Sequence, residues 1–427
     1  MHRIPYGKGQ ISFDLPSEMT ATVVESRSMP TISDLPTAVR EALAAPVEAP
    51  RLRDMAKATD TVCVVFTDIT RACPDALLVG PILEELHAAG VAEEHITFLC
   101  GVGMHRASTD SEKLVKLGTE VVRRYRVLDH DARDPQRIVD LGQTETGIPL
   151  SVNRIAYESD LLIATGIVEP HQYAGYSGGA KTLSVGAAGE AMIAYTHGPV
   201  MLEQPGTRLG RIEGNPFREA LQEAGRRAGL RFIIDVVQDD NKNVVAVRAG
   251  DPVAAFQELV AIAKSMYEVP IPHRYDVAIA GVGYPKDANL YQASRGPSYL
   301  HFAPTTVVKP GGTYIVPAPC QEGAGEGAGE QRFYEALKAA SSMPALVEEL
   351  RRTGYPPGEQ RAFVIGKVLS EADIVVVGAQ TPDVVRDLKM VPVPTMGEAF
   401  DWVQKKQGVA LDVLIVPHAL LTLPVVQ

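Results

Sequence analysis

The chain has 427 residues, of which 45% are hydrophobic and 22% charged, and its net charge is −11 at pH 7. These values are ordinary for a globular protein of about two domains, and the acidic balance argues against a nucleic-acid-binding protein. No apolar run reaches the length of a membrane-spanning helix and the N-terminus lacks a signal-peptide core, so we expect a cytoplasmic protein that binds neither membranes nor nucleic acid.

The first half of the chain predicts a hairpin followed by repeated strand–helix units. Alternating residues in 10–14 and 20–24 predict the hairpin, and a helix is expected at 35–45. The buried strands and the helices that follow are predicted from apolar runs and helix signals, with strands at 61–66, 95–100, 160–165 and 231–237 and helices at 74–89, 187–195, 216–229 and 252–266. This alternation is typical of a mainly parallel α/β sheet.

The segment Pro270-Ile271-Pro272 interrupts this pattern, and we place a domain boundary there. Residues 1–270 are predicted to form an N-terminal α/β domain with the catalytic and cofactor-binding residues, and 275–427 a C-terminal α/β domain that closes the cleft. The extreme C-terminus is free to return to the first domain. The second half predicts strands near 275–280, 312–317, 373–377 and 412–416 and helices at about 298–304, 330–340, 344–352 and 361–369. The predicted fold class is α/β with two domains, each a mainly parallel sheet flanked by helices, and with the active site in the interdomain cleft.

Polar residues follow three of the predicted strands at the point where each strand ends. Asp68 and Arg71 follow the strand at 61–66, and His105 follows the strand at 95–100. The segment 169–181, Glu-Pro-His-Gln-Tyr-Ala-Gly-Tyr-Ser-Gly-Gly-Ala-Lys, follows the strand at 160–165. Sites in parallel α/β sheets form at the carboxyl ends of strands, so these segments are predicted to share one site.

The residue types suggest roles, each with an alternative. Arg71 matches the geometry of a carboxylate, although a surface salt bridge with a nearby aspartate is equally consistent with its position. His105 has the pKa range of a general base, but an isolated loop histidine is the commoner case. Glu169 is suited to orient His171 or a sugar hydroxyl, or to cap local backbone. Lys181 is able to pair with a phosphate or to bond covalently to a cofactor carbonyl.

Two further segments complete the expected site. The turn Ser177-Gly178-Gly179 allows backbone N–H groups to approach an anion. After the strand at 275–280, the segment 289–296 is placed so that Gln292 and Arg295 reach across the cleft.

Together these motifs resemble the nickel-pincer lactate racemase family, whose members are built of two α/β domains around a cleft. The resemblance runs from Pro5 to at least Gly296. It rests on Asp-x-x-Arg, a Gly-x-x-His turn, Glu-Pro-His…Gly-Tyr-Ser-Gly-Gly-x-Lys and a His sixteen residues after that Lys. These elements stand here as Asp68 with Arg71, Gly101 to His105 with one extra residue, Glu169 to Lys181, and His197.

The resemblance implies a nickel-pincer nucleotide, a pyridinium mononucleotide whose two thiocarboxylate arms hold nickel. Lys181 matches the residue that attaches this cofactor covalently, and His197 matches the protein ligand to the metal. The remaining expected cofactor contacts are Ser177, Gly178, Gly179, Glu169 and Tyr291. His105 and His171 match the acid–base pair, with Asp68 beside them, and the expected substrate contacts are Arg71, Gln292 and Arg295. Cofactor-biosynthesis proteins are the partners expected for maturation.

The implied activity is racemisation of a small 2-hydroxy acid by reversible hydride transfer to the bound cofactor. Arg295 stands where family members often carry Lys, and the retained charge favours a short monoacid such as lactate or 2-hydroxybutyrate over a diacid such as malate. A nicotinamide-dependent 2-hydroxy acid dehydrogenase is the first alternative, but no strand opens into Gly-x-Gly-x-x-Gly. A non-catalytic small-acid binding protein is the second, and it would need neither two bases nor a covalent lysine.

Overall fold

The computed structural model describes residues 1–356 and 359–427, and these form two six-stranded sheets with helices packed against them. The strands are β1 His2–Tyr6, β2 Gly9–Phe13, β3 Thr20–Val23, β4 Val62–Thr67, β5 Ile96–Gly101, β6 Arg126–Asp129, β7 Ile138–Gln143, β8 Pro149–Asn153, β9 Leu161–Ile167, β10 Pro170–His171, β11 Gly175–Tyr176, β12 Leu230–Gln238, β13 Val244–Gly250, β14 Glu268–Ile271, β15 Tyr275–Ala280, β16 Val308–Pro317, β17 Asp373–Val377, β18 Val391–Val393, β19 Asp412–Val416 and β20 Leu423–Val426.

The helices are α1 Leu35–Ala44, α2 Leu52–Met55, α3 Asp75–Ala88, α4 Asp110–Leu117, α5 Thr119–Arg124, α6 Arg154–Glu158, α7 Lys181–Ser184, α8 Glu190–Thr196, α9 Pro199–Leu202, α10 Pro216–Arg227, α11 Ala254–Tyr267, α12 Leu290–Ala293, α13 Arg295–His301, α14 Ala328–Ala339, α15 Met343–Thr353, α16 Gln360–Glu371, α17 Pro382–Asp387 and α18 Met396–Gln407. Three single 3₁₀ turns occur at Glu93–His95, Pro135–Arg137 and Lys286–Ala288. None of the helices in the described part of the chain is long and apolar enough to span a bilayer.

The first sheet has the strand order β13-β12-β9-β4-β5-β6, and only the pairing of β12 with β13 is antiparallel. The strands β9, β4 and β5 are neighbours at its centre, and all three are buried. Because their carboxyl ends lie at the same edge, the loops that follow them emerge together. The four strands predicted in this half are therefore confirmed, as is their mainly parallel arrangement.

Both faces of the first sheet are covered by helices, as the continuous apolar strands require. Alternate residues of β4 show this directly, because successive side chains of a strand point to opposite faces. Val64 and Phe66 pack in a core with helices α1 and α3, whereas Cys63 and Val65 pack in the core formed with α11. Both faces of the sheet are thus covered by apolar cores, and polar groups can cluster at the edge of the sheet.

The second sheet has the order β18-β17-β16-β15-β19-β3, and all of its pairings are parallel. Helices α14, α15 and α16 contribute to the core on one face, and α18 with the β1–β2 hairpin to the core on the other. The α/β fold with two helix-flanked, mainly parallel sheets is confirmed, as are the four strands and four helices predicted after residue 275.

The predicted hairpin between residues 10–14 and 20–24 is wrong. The hairpin forms earlier, between β1 and β2, whereas β3 leaves it and pairs in parallel with β19 in the second sheet. Residues 1–270 therefore do not all lie with the first sheet, because β3 completes the edge of the second one. The strand β20 pairs in parallel with β14, which brings the C-terminal segment beside the end of α11. The division into domains at residue 270 otherwise stays a prediction.

The pairing of β3 predicts that proline is far less tolerated at Thr22 than at Ala21. The N–H groups of Thr20 and Val24 donate to the carbonyls of Leu411 and Ile415, so by the period of a parallel ladder Thr22 also donates to β19. The N–H of Ala21 points away from β19. We expect Thr22→Pro to lower the free energy of unfolding by about 1–3 kcal/mol.

Urea denaturation followed by circular dichroism measures the effect, with Ala21→Pro as the matched control. Equal losses in the two variants would contradict this register.

Candidate active site

His105 and Asp68 form a hydrogen-bonded pair at the carboxyl edge of the first sheet. His105 Nδ1 lies 2.6 Å from Asp68 Oδ2, and Thr70 donates to the other carboxylate oxygen at 2.7 Å. Burial would raise the pKa of Asp68, but the hydrogen bonds from His105 and Thr70 outweigh it and hold this pKa below its ordinary value. Since Asp68 is ionised, it accepts a hydrogen bond from the Nδ1–H group of His105. The Nε2 atom of His105 is then available as a proton acceptor.

A buried polar network fixes the loop that carries Asp68 and Arg71. Lys116 from helix α4 forms a salt bridge of 2.6 Å with Asp75, and both side chains are buried. Lys116 also donates to the carbonyls of Cys73, at 2.8 Å, and of Arg71, at 3.3 Å. Thr67, the last residue of β4, donates to Asp75 at 2.7 Å. The buried Asp75–Lys116 pair thus fixes the backbone of the loop after β4. The side chains of this loop outside the network are free to bind a ligand.

His171 lies at the start of the segment that follows β9, with its ring against aromatic neighbours. Its Nδ1 atom accepts from the backbone N–H groups of Tyr173 and Ala174 at 3.3 and 3.2 Å, so Nε2 carries the ring proton. Burial, followed by the positive charges of Lys181 and Arg71, lowers the pKa of His171 well below its usual range. His171 is therefore neutral and presents an N–H donor.

His197, just after helix α8, presents the opposite arrangement. Its Nδ1 atom lies 3.0 Å from the carbonyl of Ile193, so Nδ1 carries the proton and Nε2 has a free lone pair. Burial lowers the pKa of His197 to about 4. The rings of Tyr173 and Phe217 meet the ring of His197 edge-on, with centroids 5.7 and 5.2 Å away. A neutral imidazole oriented by a backbone carbonyl is the usual form of a metal-ligating histidine.

Lys181 begins helix α7 and is 9% exposed. Burial lowers its pKa to about 7, with help from the charges of Arg71 and Arg218 and against the opposing effect of Glu169 and Asp68. A large fraction of its amine is consequently uncharged at neutral pH. Such an amine is a nucleophile, unlike the ammonium group of an ordinary lysine.

The loop that leads to Lys181 is held by two buried charged residues that the sequence reasoning missed. Arg218 from helix α10 donates to the carbonyls of Ala174, Tyr176 and Gly178, and its guanidinium lies 4.4 Å from the ring centroid of Phe256. Asp235 of β12 accepts from the N–H of Gly179 at 2.6 Å. Burial raises the pKa of Asp235 to about 7 and lowers that of Arg218 to about 9.

These contacts leave part of the Ser177-Gly178-Gly179 turn committed to the protein itself. The hydroxyl of Ser177 donates to the carbonyl of Ile167 at 2.6 Å and accepts from the N–H of Glu169 at 3.1 Å, which closes the loop on itself. Gly178 has φ +81°, and a Cβ there would lie 2.7 Å from the carboxylate of Asp235. Glycine is thus required by the close approach of this loop to β12. The Ser177 hydroxyl and the Gly179 N–H face the protein, and their predicted cofactor contacts stay predictions.

The predicted residues of the second half lie on helices α12 and α13 and reach the first half through Ser298. The hydroxyl of Ser298 lies 3.4 Å from the side-chain oxygen of Gln172, the neighbour of His171. Arg361 of helix α16 donates to the same hydroxyl at 2.9 Å, and its guanidinium lies 5.7 Å from the ring centroid of Tyr291. Gln292 lies in α12, and Arg295 begins α13, the helix that carries Ser298.

The structure thus brings the predicted residues of the first half into two groups and adds several that were missed. One group is Asp68 with His105. The other is the segment from Glu169 to His197, in which the positive charge of Arg71 lowers the pKa of Lys181. The missed residues are Thr70, Gln172, Tyr173, Phe217, Arg218, Asp235 and Arg361. Asp235 could have been identified from the sequence, because it is a charged residue within an apolar strand. Arg361 could not, because it is distant in sequence from every motif.

This arrangement combines a base, an N–H donor, a nucleophilic amine and an imidazole with a free lone pair. No three His, Cys, Asp or Glu side chains group as a metal site within residues 1–356 and 359–427. The surface beside His105 has a cavity of about 380 Å³ that is lined by His105, Asp129, His130 and Arg133 among others. The site can therefore move protons, bind an anion and attach a carbonyl compound covalently at Lys181.

The lowered pKa of Lys181 predicts selective acylation of this residue near neutral pH. Its rate of acetylation by acetic anhydride should rise up to about pH 7 and then level off, whereas an ordinary lysine gains reactivity up to about pH 10. Quantitative peptide mass spectrometry measures both rates in one digest, with the exposed Lys57 as the internal reference. A rate for Lys181 that continues to rise above pH 9 would show that its amine is charged at neutrality.

Two family models cover most of this chain. Residues 6–210 match the lactate racemase N-terminal domain, and residues 272–423 match the lactate racemase C-terminal domain. The chain is 29% identical to a lactate racemase of Thermoanaerobacterium thermosaccharolyticum over 93% of this chain and 92% of that protein. It is also 29% identical to a lactate racemase of Lactiplantibacillus plantarum over 98% of each chain.

The fold agrees with these sequence matches. The structure of the lactate racemase apoprotein from Thermoanaerobacterium thermosaccharolyticum superposes with a TM-score of 0.89 at 26% identity, and the match covers 99% of each chain. A Thermotoga maritima protein shares the fold with a TM-score of 0.68 at 19% identity over 92% of this chain and 98% of that one. The chain therefore belongs to the lactate racemase family, a family of isomerases.

Proposed function

We propose that this protein racemises a small 2-hydroxy acid, with a nickel-pincer nucleotide attached covalently at Lys181 and the substrate bound in a cleft between the two halves. The single observation that carries the proposal is the state of Lys181. It is buried, a large fraction of its amine is uncharged near neutrality, and its remaining positive charge helps to lower the pKa values of His171 and His197. A lysine that is only structural does not require that environment, whereas a covalent attachment site does.

The residues present fit this cofactor. Lys181 would form the covalent bond as a neutral amine, and the free Nε2 lone pair of His197 suits nickel, for which imidazole is a good ligand. The Nδ1–H of His197 donates to the carbonyl of Ile193, which is the second interaction that orients a ligating ring. When bound, the cofactor would supply the electron acceptor that a 2-hydroxy acid needs for inversion at its carbon, since the hydrogen on that carbon is only weakly acidic.

The chain's own residues would position the substrate and move its hydroxyl proton. Arg71 is suited to bind the substrate carboxylate through its planar guanidinium. His105 would accept the hydroxyl proton at Nε2, and Asp68, hydrogen-bonded to Nδ1, would stabilise the imidazolium that forms. This division of roles is the usual one for a carboxylate–histidine pair.

His171 would serve the opposite face of the substrate, and its protonation would depend on what is bound. Lys181 and Arg71 are the two largest charge effects that lower its pKa. Acylation of Lys181 removes the positive charge that the protonated fraction of its amine carries, and a substrate carboxylate on Arg71 offsets the other charge. Both changes raise the pKa of His171, so this ring would become an effective proton donor only in the loaded, substrate-bound protein.

The two alternatives gain less support. A nicotinamide dehydrogenase would need a diffusible cofactor site, and it would not need a nucleophilic lysine beside a free imidazole lone pair. A non-catalytic acid-binding protein would not need the His105–Asp68 pair. The cytoplasm is the expected compartment, and cofactor-biosynthesis proteins are the partners that maturation would require.

The test of the proposal is intact-protein and peptide mass spectrometry after expression in a host that makes the cofactor. We expect a covalent adduct on Lys181, bound nickel, and racemisation of lactate, the substrate named for the relatives, measured by chiral chromatography. Lys181→Arg keeps a long basic side chain but cannot form the same bond, and it should lose the adduct and the activity. An active Lys181→Arg variant without an adduct would refute the proposal.

The His105–Asp68 pair predicts separate effects for two variants of the loaded protein. His105→Gln should lower kcat/KM by about 10²–10⁴-fold, because it removes the proton acceptor. Asp68→Asn should lower kcat by a smaller factor, because the Nε2 acceptor stays in place while the imidazolium loses its carboxylate partner.

Thr70→Val is the matched control for this pair. It removes the other hydrogen bond of Asp68 while keeping the carboxylate on His105, so kcat should change little. A His105→Gln variant with undiminished turnover would remove His105 from the mechanism.

A further inference from the structure

Two arginines of the second half, Arg295 and Arg361, lie close together without a counter-charge. Neither forms an ion pair with a carboxylate in the described ranges 1–356 and 359–427. Arg361 is only 5% exposed, and the Nε atoms of both guanidinium groups are buried without a hydrogen-bond partner. Arg361 is buried and Arg295 is half-buried, and neighbouring like charges without compensation are unfavourable, so this arrangement indicates that an anion binds there.

The surroundings of these arginines are built to receive a polar group. The side-chain nitrogen of Gln172 is also buried without a partner, and Gln172 is 5% exposed. Its oxygen contacts Ser298, which in turn accepts from Arg361 at 2.9 Å. The ring of Tyr291 lies against the Arg361 guanidinium, 5.7 Å from its centroid. This group therefore contains three N–H groups without acceptors, two of them on side chains that hydrogen-bond to the Ser298 hydroxyl.

This group is continuous with the proposed site. Gln172 follows His171 directly in sequence, and the next residue, Tyr173, contacts both histidines, with ring centroids 5.9 Å from His171 and 5.7 Å from His197. Val364, one turn after Arg361 on helix α16, packs in the same core as Tyr173. The Gln172–Tyr173 segment therefore connects Arg361 with the two histidines.

We propose that Arg295, Arg361 and Gln172 form a second anion subsite that holds a second carboxylate of the substrate, so that the protein acts on a 2-hydroxy dicarboxylic acid of the malate type. The proposal rests on the function proposed above and names its substrate class. Arg71 can hold the carboxylate next to the reacting carbon, and one carboxylate cannot compensate three guanidinium groups. The preference for a short monoacid drawn from the motif loops is revised here, because Arg361 lies outside every motif.

Binding to the apoprotein tests the subsite without the cofactor. Isothermal titration calorimetry with malate and with lactate should show tighter binding of malate by about tenfold or more. Arg361→Met should bring the malate-to-lactate affinity ratio down by about ten- to a hundredfold, since it removes a charge-assisted contact. Arg361→Lys, which keeps the charge without the planar donor group, should give an intermediate ratio.

Arg352→Met is the matched control, since Arg352 is an exposed arginine at the end of the neighbouring helix α15, and it should keep the wild-type ratio. Thermal unfolding of each variant establishes that it is folded. Equal affinity for malate and lactate in the wild type, or an unchanged ratio in Arg361→Met, overturns the proposal. Inorganic phosphate that binds without a malate preference, and whose binding is lost in Arg361→Met, also overturns it, because the subsite then holds a phosphate group.

Activity of the loaded protein separates this inference from the proposed function. Racemisation of malate with a higher kcat/KM than lactate supports both, and racemisation of lactate alone overturns the subsite while the function stands. A loaded protein that racemises neither acid refutes the function, whatever the calorimetry shows.

Discussion

The site depends on the way in which Arg218 and Asp235 hold the loop before Lys181. Arg218 donates hydrogen bonds to three backbone carbonyls of this loop. Asp235, on the adjacent strand, accepts a hydrogen bond from the N–H of Gly179. Both charged side chains are fully buried, so their hydrogen bonds are strong and the cost of losing either partner is high. The fixed loop sets the position of Lys181, and the glycines allow it to approach β12 without a clash.

Electrostatics around this loop connect residues that do not touch. Positive charges on Arg71 and Arg218 lower the pKa of Lys181, and the charge on Lys181 in turn lowers the pKa of His171. Without a ligand, much of the Lys181 amine is therefore uncharged and His171 is a neutral ring. The buried Asp75–Lys116 pair supports the other side of the site by fixing the backbone that carries Arg71.

Much of this structure could be predicted from the sequence, and each feature that could not be predicted has a physical reason. The central strands and their crossover helices were predicted because runs such as β4 and β9 are continuously apolar, which a strand buried on both faces requires. The position of β3 was not predicted, since the sequence of a four-residue edge strand does not identify a partner strand almost four hundred residues away. Asp68, His105 and Lys181 were found because they follow strand ends in short motifs. Arg218 and Arg361 were missed, because a single arginine on a helix reads as a solvent-exposed residue until the tertiary packing is known.

The pairing of β3 with β19 also constrains the order in which the chain can fold. Thr20 leaves the ribosome among the first residues, but the carbonyl of Leu411 that accepts its N–H is synthesised almost last. The strands of the first sheet are complete once residue 250 has emerged, so that sheet can form during synthesis. The second sheet closes only after release of nearly the whole chain, and until then β3 and the edge of β15 that β19 will cover are unpaired.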